Sequence, residues 1–180
     1  MCGACCRLDT LLVTVTGKDL NRISQALGLS AGELLRALDF YVLKEDEAVP
    51  MGLRDIPRVN TERGAAYVAL RKTPNGDCVF LQDNLCLIHA ARPSACRAFP
   101  FVFQEDKGGL AWGLSAVKEI CPGLGRGPQV SASNLYETGN EVLEEISISK
   151  EFIDEWNRNA QTPSAISYVE AVLRDGRFSV

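Results

Sequence analysis

The chain has 180 residues, of which 46% are hydrophobic and 23% charged, the length and balance of a globular protein with an ordinary core. Its formal charge of −4 argues against a nucleic-acid binder, which would carry a basic excess. No apolar run approaches the ~20 residues that span a bilayer, and the short apolar stretch at 11–17 lacks the flanks of a signal peptide, so a cytoplasmic protein without a membrane partner is expected.

The first feature in chain order is "MCGACCR", which places Cys2, Cys5 and Cys6 at a terminus where free thiols would oxidise unless something held them. "TGKDLNRISQALGLS" then predicts a helix capped by Thr16, with Leu20, Ile23, Ala26 and Leu27 on one face and Gly28 at its end. Ser30 and Glu33 form a capping box for a second helix, with Leu34, Leu35, Leu38 and Val42 as its apolar side. Acidic "KEDEAVP" ends that helix, and Pro50, Gly52 and Pro57 predict an irregular connection. Arg54, Arg58, Arg63, Arg71 and Lys72 read as a solvated or salt-bridged face.

The middle of the chain carries strand signals. "AAYVALRKT" is β-prone, Pro74-Asn75-Gly76 is a turn, and a strand is predicted from Cys78 to Leu81, followed by a turn at Gln82-Asp83-Asn84 and a short strand. "RPSACRAF" predicts one helical turn opened by Pro93 and Ser94. "FPFVF" and "LAWGLSAV" predict strands around the Gly108-Gly109 turn, with Phe99 and Phe101 in the core. Beyond "CPGLGRGPQ" the composition changes, and helices are predicted over 133–146, 149–160 and 163–174. The resulting fold class is α+β: a small cysteine-rich β unit with metal sites, packed by N-terminal and C-terminal helices. Trp112 and Trp156 read as packing residues, and the acidic residues of "NEVLEEISISKEFIDE" as a helix surface.

Seven cysteines in a cytoplasmic chain point to metal binding or redox work, and the odd number leaves one thiol over in any disulfide scheme. Cys78, Cys86, Cys96 and Cys121 all sit at or beside turns, where the backbone can bend so that several sulfurs converge. Cys2-x-x-Cys5 has the span of a metal knuckle, and Cys121-Pro122 has the form that closes many iron–sulfur ligand runs. Adjacent Cys5 and Cys6 would point apart in extended chain and so serve two centres. Glycine-rich "GLGRG" lacks the strand-and-helix context of a phosphate loop and reads as a turn.

"MCGACCR", "CVFLQDNLCLIHAARPSACRAFPF" and "CPGLGRG" together resemble the YkgJ-like cysteine-cluster family of zinc- or iron-chelating domains, whose core is related to that of the flagellin lysine N-methylases. The resemblance covers roughly 1–127, which implies a cysteine-cluster metal-binding domain there and a C-terminal helical extension over 128–180 packed on it. It implies a ligand set of Cys2, Cys5, Cys6, Cys78, Cys86, Cys96 and Cys121, holding either one or two iron–sulfur clusters (4Fe-4S) or zinc. The methylase relative tips this reading toward iron–sulfur and toward a redox or methyl-transfer component. The competing reading is a zinc-stapled interaction module without catalysis, whose C-terminal helices bind a protein partner.

The family pattern has eight cysteines, the first of which would precede Met1. Seven thiolates build one closed site and one with three sulfurs, and three thiolates around a cluster leave an iron open to a small molecule. His89, the chain's one histidine, stands at Cys86-x-x-His89 where the family commonly has tyrosine, and is either an eighth ligand or a packed or surface replacement for that tyrosine. Arg7, Arg92 and Arg97 flank cysteines of the motif. They are expected at the cofactor, where guanidinium groups would offset the negative charge of the thiolates.

Overall fold

The computed structural model describes residues 3–43, 53, 56–126 and 128–179. Five α-helices and three small antiparallel sheets are formed among them, an α+β arrangement. None of these helices is long and apolar enough to cross a membrane.

The N-terminal half begins with a 3-10 turn at Cys5–Arg7 and then α1 (Gly17–Leu27). Thr16 and Asp19 cap each other's backbone at its start, and Gly28 closes it in a left-handed conformation. Leu20 and Ile23 are fully buried, whereas Ala26 and Leu27 face solvent. Helix α2 (Ala31–Leu35) carries the Ser30–Glu33 capping box, as its sequence predicts. It stops early, because residues 38–41 form a strand rather than a further helical turn. That strand, β1 (Leu38–Tyr41), pairs antiparallel with β3 (Gly64–Leu70), matching Leu38 to Leu70 and Tyr41 to Tyr67. Pairing with a buried partner overrides the helical spacing of Leu34, Leu35 and Leu38. On the other side of β3 lies β2 (Val59–Thr61), giving the order β1-β3-β2. Most of the irregular connection predicted around Pro50 and Gly52 lies outside the described residues; Pro57 is in neither helix nor strand.

Beyond β3, a turn at Pro74-Asn75-Gly76 leads into a two-stranded hairpin, β4 (Leu81–Gln82) and β5 (Leu85–Cys86). Cys78 makes only an isolated bridge to Lys72, so the strand predicted from Cys78 to Leu81 starts later than expected. Asp83 and Asn84 both take positive φ at the hairpin tip. Helix α3 (Ser94–Ala98) is a single short helix, and a longer hairpin follows, β6 (Phe101–Asp106) and β7 (Gly109–Leu114). This hairpin packs on α4 (Ala132–Asn159) so tightly that a methyl group at Gly139 would lie 2.6 Å from Phe103 Cδ1. One helix replaces the two predicted over 133–146 and 149–160: no glycine or proline interrupts residues 145–150, and the serines there cost too little to break a helix packed along its length.

Helix α5 (Ala165–Arg174), capped by Ser164, brings Tyr168, Val169 and Val172 into the core. They meet Leu20 and Ile23 of α1, Leu38 of β1, Phe152 and Ile153 of α4, and Phe178 in one buried cluster. Cys78, Phe80 and Ile88 belong to the same cluster, which joins the cysteine-bearing loops to the aromatic core. Trp156 packs as expected, edge-on to Tyr168 at 5.7 Å and donating to the Asn60 carbonyl. Trp112 departs from expectation: it meets Phe101 edge to face at 5.8 Å but is 47% exposed.

Candidate metal centre

The first sulfur-bearing segment is pinned by backbone hydrogen bonds. The Cys6 N–H donates to Gly3 and the Arg7 N–H to Ala4, closing the 3-10 turn that carries Cys5 and Cys6. The Cys6 carbonyl then accepts from the Cys78 N–H at 2.7 Å and from Lys72 Nζ at 3.4 Å. A second tie is steric. Gly76 has φ +85°, and a methyl group there would sit 2.8 Å from the Asp9 side chain. The glycine lets the Asn75-Gly76 turn close against the N-terminal loop, which clasps the chain around Cys78.

From the other side, β5 presents Cys86, and α3 presents Cys96 in its first turn. Cys5, Cys6, Cys78, Cys86 and Cys96 therefore come from four chain segments and lie near enough for their charges to act on one another. The chain at Cys5 and Cys6 is a 3-10 turn rather than extended, and the two thiols act strongly on each other's titration.

The electrostatics of this neighbourhood are uneven. The hydrogen bond from Cys6 holds the Cys5 thiol down at about 6, against burial; the backbone N–H groups of Cys5 and Cys6 and the Lys72 ammonium assist it. The same hydrogen bond, with burial and the charges of Cys5, Cys78 and Cys96, pushes Cys6 up. Burial pushes Cys78 up, while the Phe80 N–H and Lys72 oppose it. Burial and then the charges of Cys78, Cys5 and Asp19 push Cys96 up to about 12. Burial and mutual repulsion make these thiols resist ionising together.

The donor set is sulfur-rich and soft, which suits zinc or an iron–sulfur cluster. Among the described residues, no three His, Cys, Asp or Glu side chains form a group that could hold a metal ion as they stand. The sulfurs share a neighbourhood, and gripping an ion requires them to draw closer.

The remaining sequence-predicted residues fall in several places. Cys2 lies outside the described residues. Cys121 is half-buried on the loop between β7 and α4, donating to the Val117 carbonyl and accepting from the Leu124 N–H. The described part of the "GLGRG" stretch, residues 123–126, is a turn, with the Arg126 N–H on the Gly123 carbonyl. His89 is exposed in a 3-10 turn at His89–Ala91. Arg7 donates to Asn84 at the β4–β5 tip, and Arg92 Nε to the His89 carbonyl at 3.1 Å. Arg97 spans Glu141 and Glu145 of α4 at 3.6 and 3.2 Å.

Three charged residues near this centre escaped the sequence reading. Lys72 is not one more solvated cation: its ammonium faces the thiols and lowers Cys5 and Cys78. Asp19 and Glu145 are buried rather than on a helix surface. Asp19 Oδ1 accepts from the Ser94 N–H at 2.9 Å and the Ser94 hydroxyl at 3.1 Å, and that hydroxyl also bonds Glu145. Arg22 closes the network, with Nη1 on Asp19 at 2.9 Å and Nη2 on Glu145 at 2.7 Å. Burial pushes the Asp19 carboxyl up, and the Glu145 charge adds to this. The spacing of Asp19 as a helix-capping residue was the one available signal; the partners of Glu145 are all distant in sequence, and Lys72 meets both nearby Cys78 and distant Cys5 and Cys6.

A helix-flanked α+β fold with gathered thiols on short loops defines a cysteine-cluster protein. The chain belongs to the CxxCxxCC family, described as "Putative zinc- or iron-chelating domain", whose model matches residues 1–122. No curated protein and no solved structure matches the chain.

Proposed function

We propose that the chain is a cytoplasmic iron–sulfur protein holding one or two clusters, with ligands drawn from Cys5, Cys6, Cys78, Cys86 and Cys96 together with Cys2 and Cys121. The observation that carries this is the meeting of five cysteines from four segments, clasped by the Cys78 N–H to Cys6 carbonyl bond. Adjacent Cys5 and Cys6, the Cys121-Pro122 pair and an all-sulfur donor set favour iron–sulfur over a single zinc ion. When bound, the cluster supplies one-electron chemistry or, with an iron left open, a Lewis-acid position for a redox or methyl-transfer reaction. The protein's own part is to solvate the sulfurs. The N–H groups of Cys5, Cys6 and Phe80 point at thiolates, and Lys72 offsets their charge.

A second reading is a zinc-stapled interaction module of the same ligand set. One observation favours it: β4 and β5 are two residues each, and such short elements gain most from a cross-link. Anaerobic purification followed by iron, acid-labile sulfide and zinc determination separates the two. Iron and sulfide in equal amounts, with broad visible absorbance, are expected; stoichiometric zinc in colourless protein would replace the first reading by the second, and no metal at all would remove both.

A further inference from the structure

Helix α3 is the least self-sufficient element near the thiols. Five residues cannot sustain a helix alone, and its N-cap, Pro93, offers no side-chain oxygen to the first N–H groups. The missing acceptor comes from another helix: Asp19 of α1 takes the Ser94 N–H and shares the one Ser94 hydroxyl proton with Glu145. The hydroxyl reaches on to Glu145 of α4, and Arg22 and Arg97 pair with that carboxylate at 2.7 and 3.2 Å. Arg22 also donates to the Arg92 carbonyl at 3.5 Å, on the chain entering α3. Among the described residues every buried side-chain nitrogen and oxygen has a partner, so the network is complete.

Such a network is an expensive way to hold a helix end, since apolar side chains of similar volume often stabilise as well or better. What ions add is a fixed orientation, because each hydrogen bond constrains direction as well as distance. Cys96 is two residues beyond Ser94, in the turn that this network holds.

We propose that Asp19 and Ser94 are positioning residues for the Cys96 thiolate, with Glu145 and Arg22 as their anchor, so that two scaffold helices set the direction in which this sulfur meets the metal. The inference rests on the metal-chelating reading and extends it to residues outside the cysteine motif. It requires no particular metal.

Cobalt(II) titration of the reduced full-length protein under anaerobic conditions tests it, since thiolate-to-cobalt charge-transfer bands report bound sulfurs. Ser94→Ala and Asp19→Ala are expected to weaken cobalt binding about 10- to 100-fold, the usual cost of losing a residue that orients a ligand. At saturation their bands should be weaker by one thiolate's share, and Cys96 should become open to alkylation in the loaded protein. Asp19→Asn keeps an acceptor for Ser94 and should restore most of the band intensity. Val172→Ala, in the core face of α5, serves as the control for a general loss of stability and should leave the saturated spectrum unchanged. If Asp19→Ala does not fold, Ser94→Ala and Asp19→Asn decide the matter. Parental spectra in Asp19→Ala and Ser94→Ala, or an equal loss in Val172→Ala at matched melting temperature, would overturn the assignment while leaving the metal reading intact. Absence of sulfur-to-cobalt bands in the parent would overturn both.

Discussion

Around Tyr168, three aromatic rings stand within 6.3 Å of its own, and Phe178 meets Phe152 edge to face at 5.1 Å. Around Cys78, by contrast, the chain is a run of turns and two-residue strands, tied by single backbone bonds such as Cys78 N–H to Cys6. The aromatic region is fed by three long or well-capped helices and draws its stability from buried apolar area. The thiol region touches the same core through Cys78, Phe80 and Ile88, but its sulfurs repel one another once ionised. One end of the molecule is held by packed rings; the other is held by turns and single backbone bonds around its thiols.

That contrast is most exposed by taking ligands away. Cys86→Ser or Cys96→Ser should lower metal content and soluble yield together, because metal binding by such sites contributes free energy on the order of 10 kcal/mol to the folded state. Elemental analysis of both variants checks this, and full metal content in both would break the contrast. The complementary change is Phe178→Ala, which removes a ring with 1% exposure from the packed region. It should cost about 3–5 kcal/mol in denaturant unfolding. If the two regions are held as described, metal stoichiometry in that variant stays at the parental value under conditions where it is folded.

The sequence is unequally informative about these two regions, for the same physical reason. Thr16, Gly28, Ser30 and Glu33 mark helix ends through contacts with residues a few positions away, and each is realised as its chemistry implies. The cysteine pattern was legible because sulfur at turns has few other uses. What escaped depends on distant partners. Leu38 fits a helical face until Leu70 offers it a strand partner, and Glu145 reads as surface until Ser94, Arg22 and Arg97 surround it. Lys72 is one of several basic residues in its stretch, and only the fold brings its ammonium to the thiols. Local hydrogen bonds are written in spacing; long-range ionic contacts are not.

A smaller effect separates the clasp from the core directly. Gly76→Ala places a methyl group against Asp9 and strains a backbone at φ +85°. A left-handed non-glycine residue costs roughly 1–2 kcal/mol, and the close contact adds to this. The loss should appear chiefly as faster amide exchange over residues 3–9 and 73–79, with α1 and α5 amides protected as in the parent. Uniform loss of protection would mean that the clasp and the core unfold as one unit.

The smallest expected effect is also the most local. In metal-free protein Cys5 is held down at about 6 chiefly by the hydrogen bond from Cys6, while Cys6 is pushed up by the same bond. Cys5 is therefore the member of the pair that ionises first, with Cys6 as the donor to it. A depressed Cys5 value stabilises the fold above the ordinary thiol range and loses that contribution as pH falls through about 6. Cys6, being raised, acts in the opposite sense: its contribution is present at low pH and fades as pH rises. The two act in different pH windows, Cys5 between about 6 and the ordinary thiol range and Cys6 above it, and thiol reactivity reads each residue separately. Iodoacetamide should label Cys5 first, with a rate that climbs through about pH 6, because the thiolate is the nucleophile. Cys6→Ala removes the donor and should move that midpoint upward toward the ordinary thiol range. A midpoint unmoved by Cys6→Ala would show that Lys72 and the backbone N–H groups, rather than the neighbouring thiol, set the reactivity of Cys5.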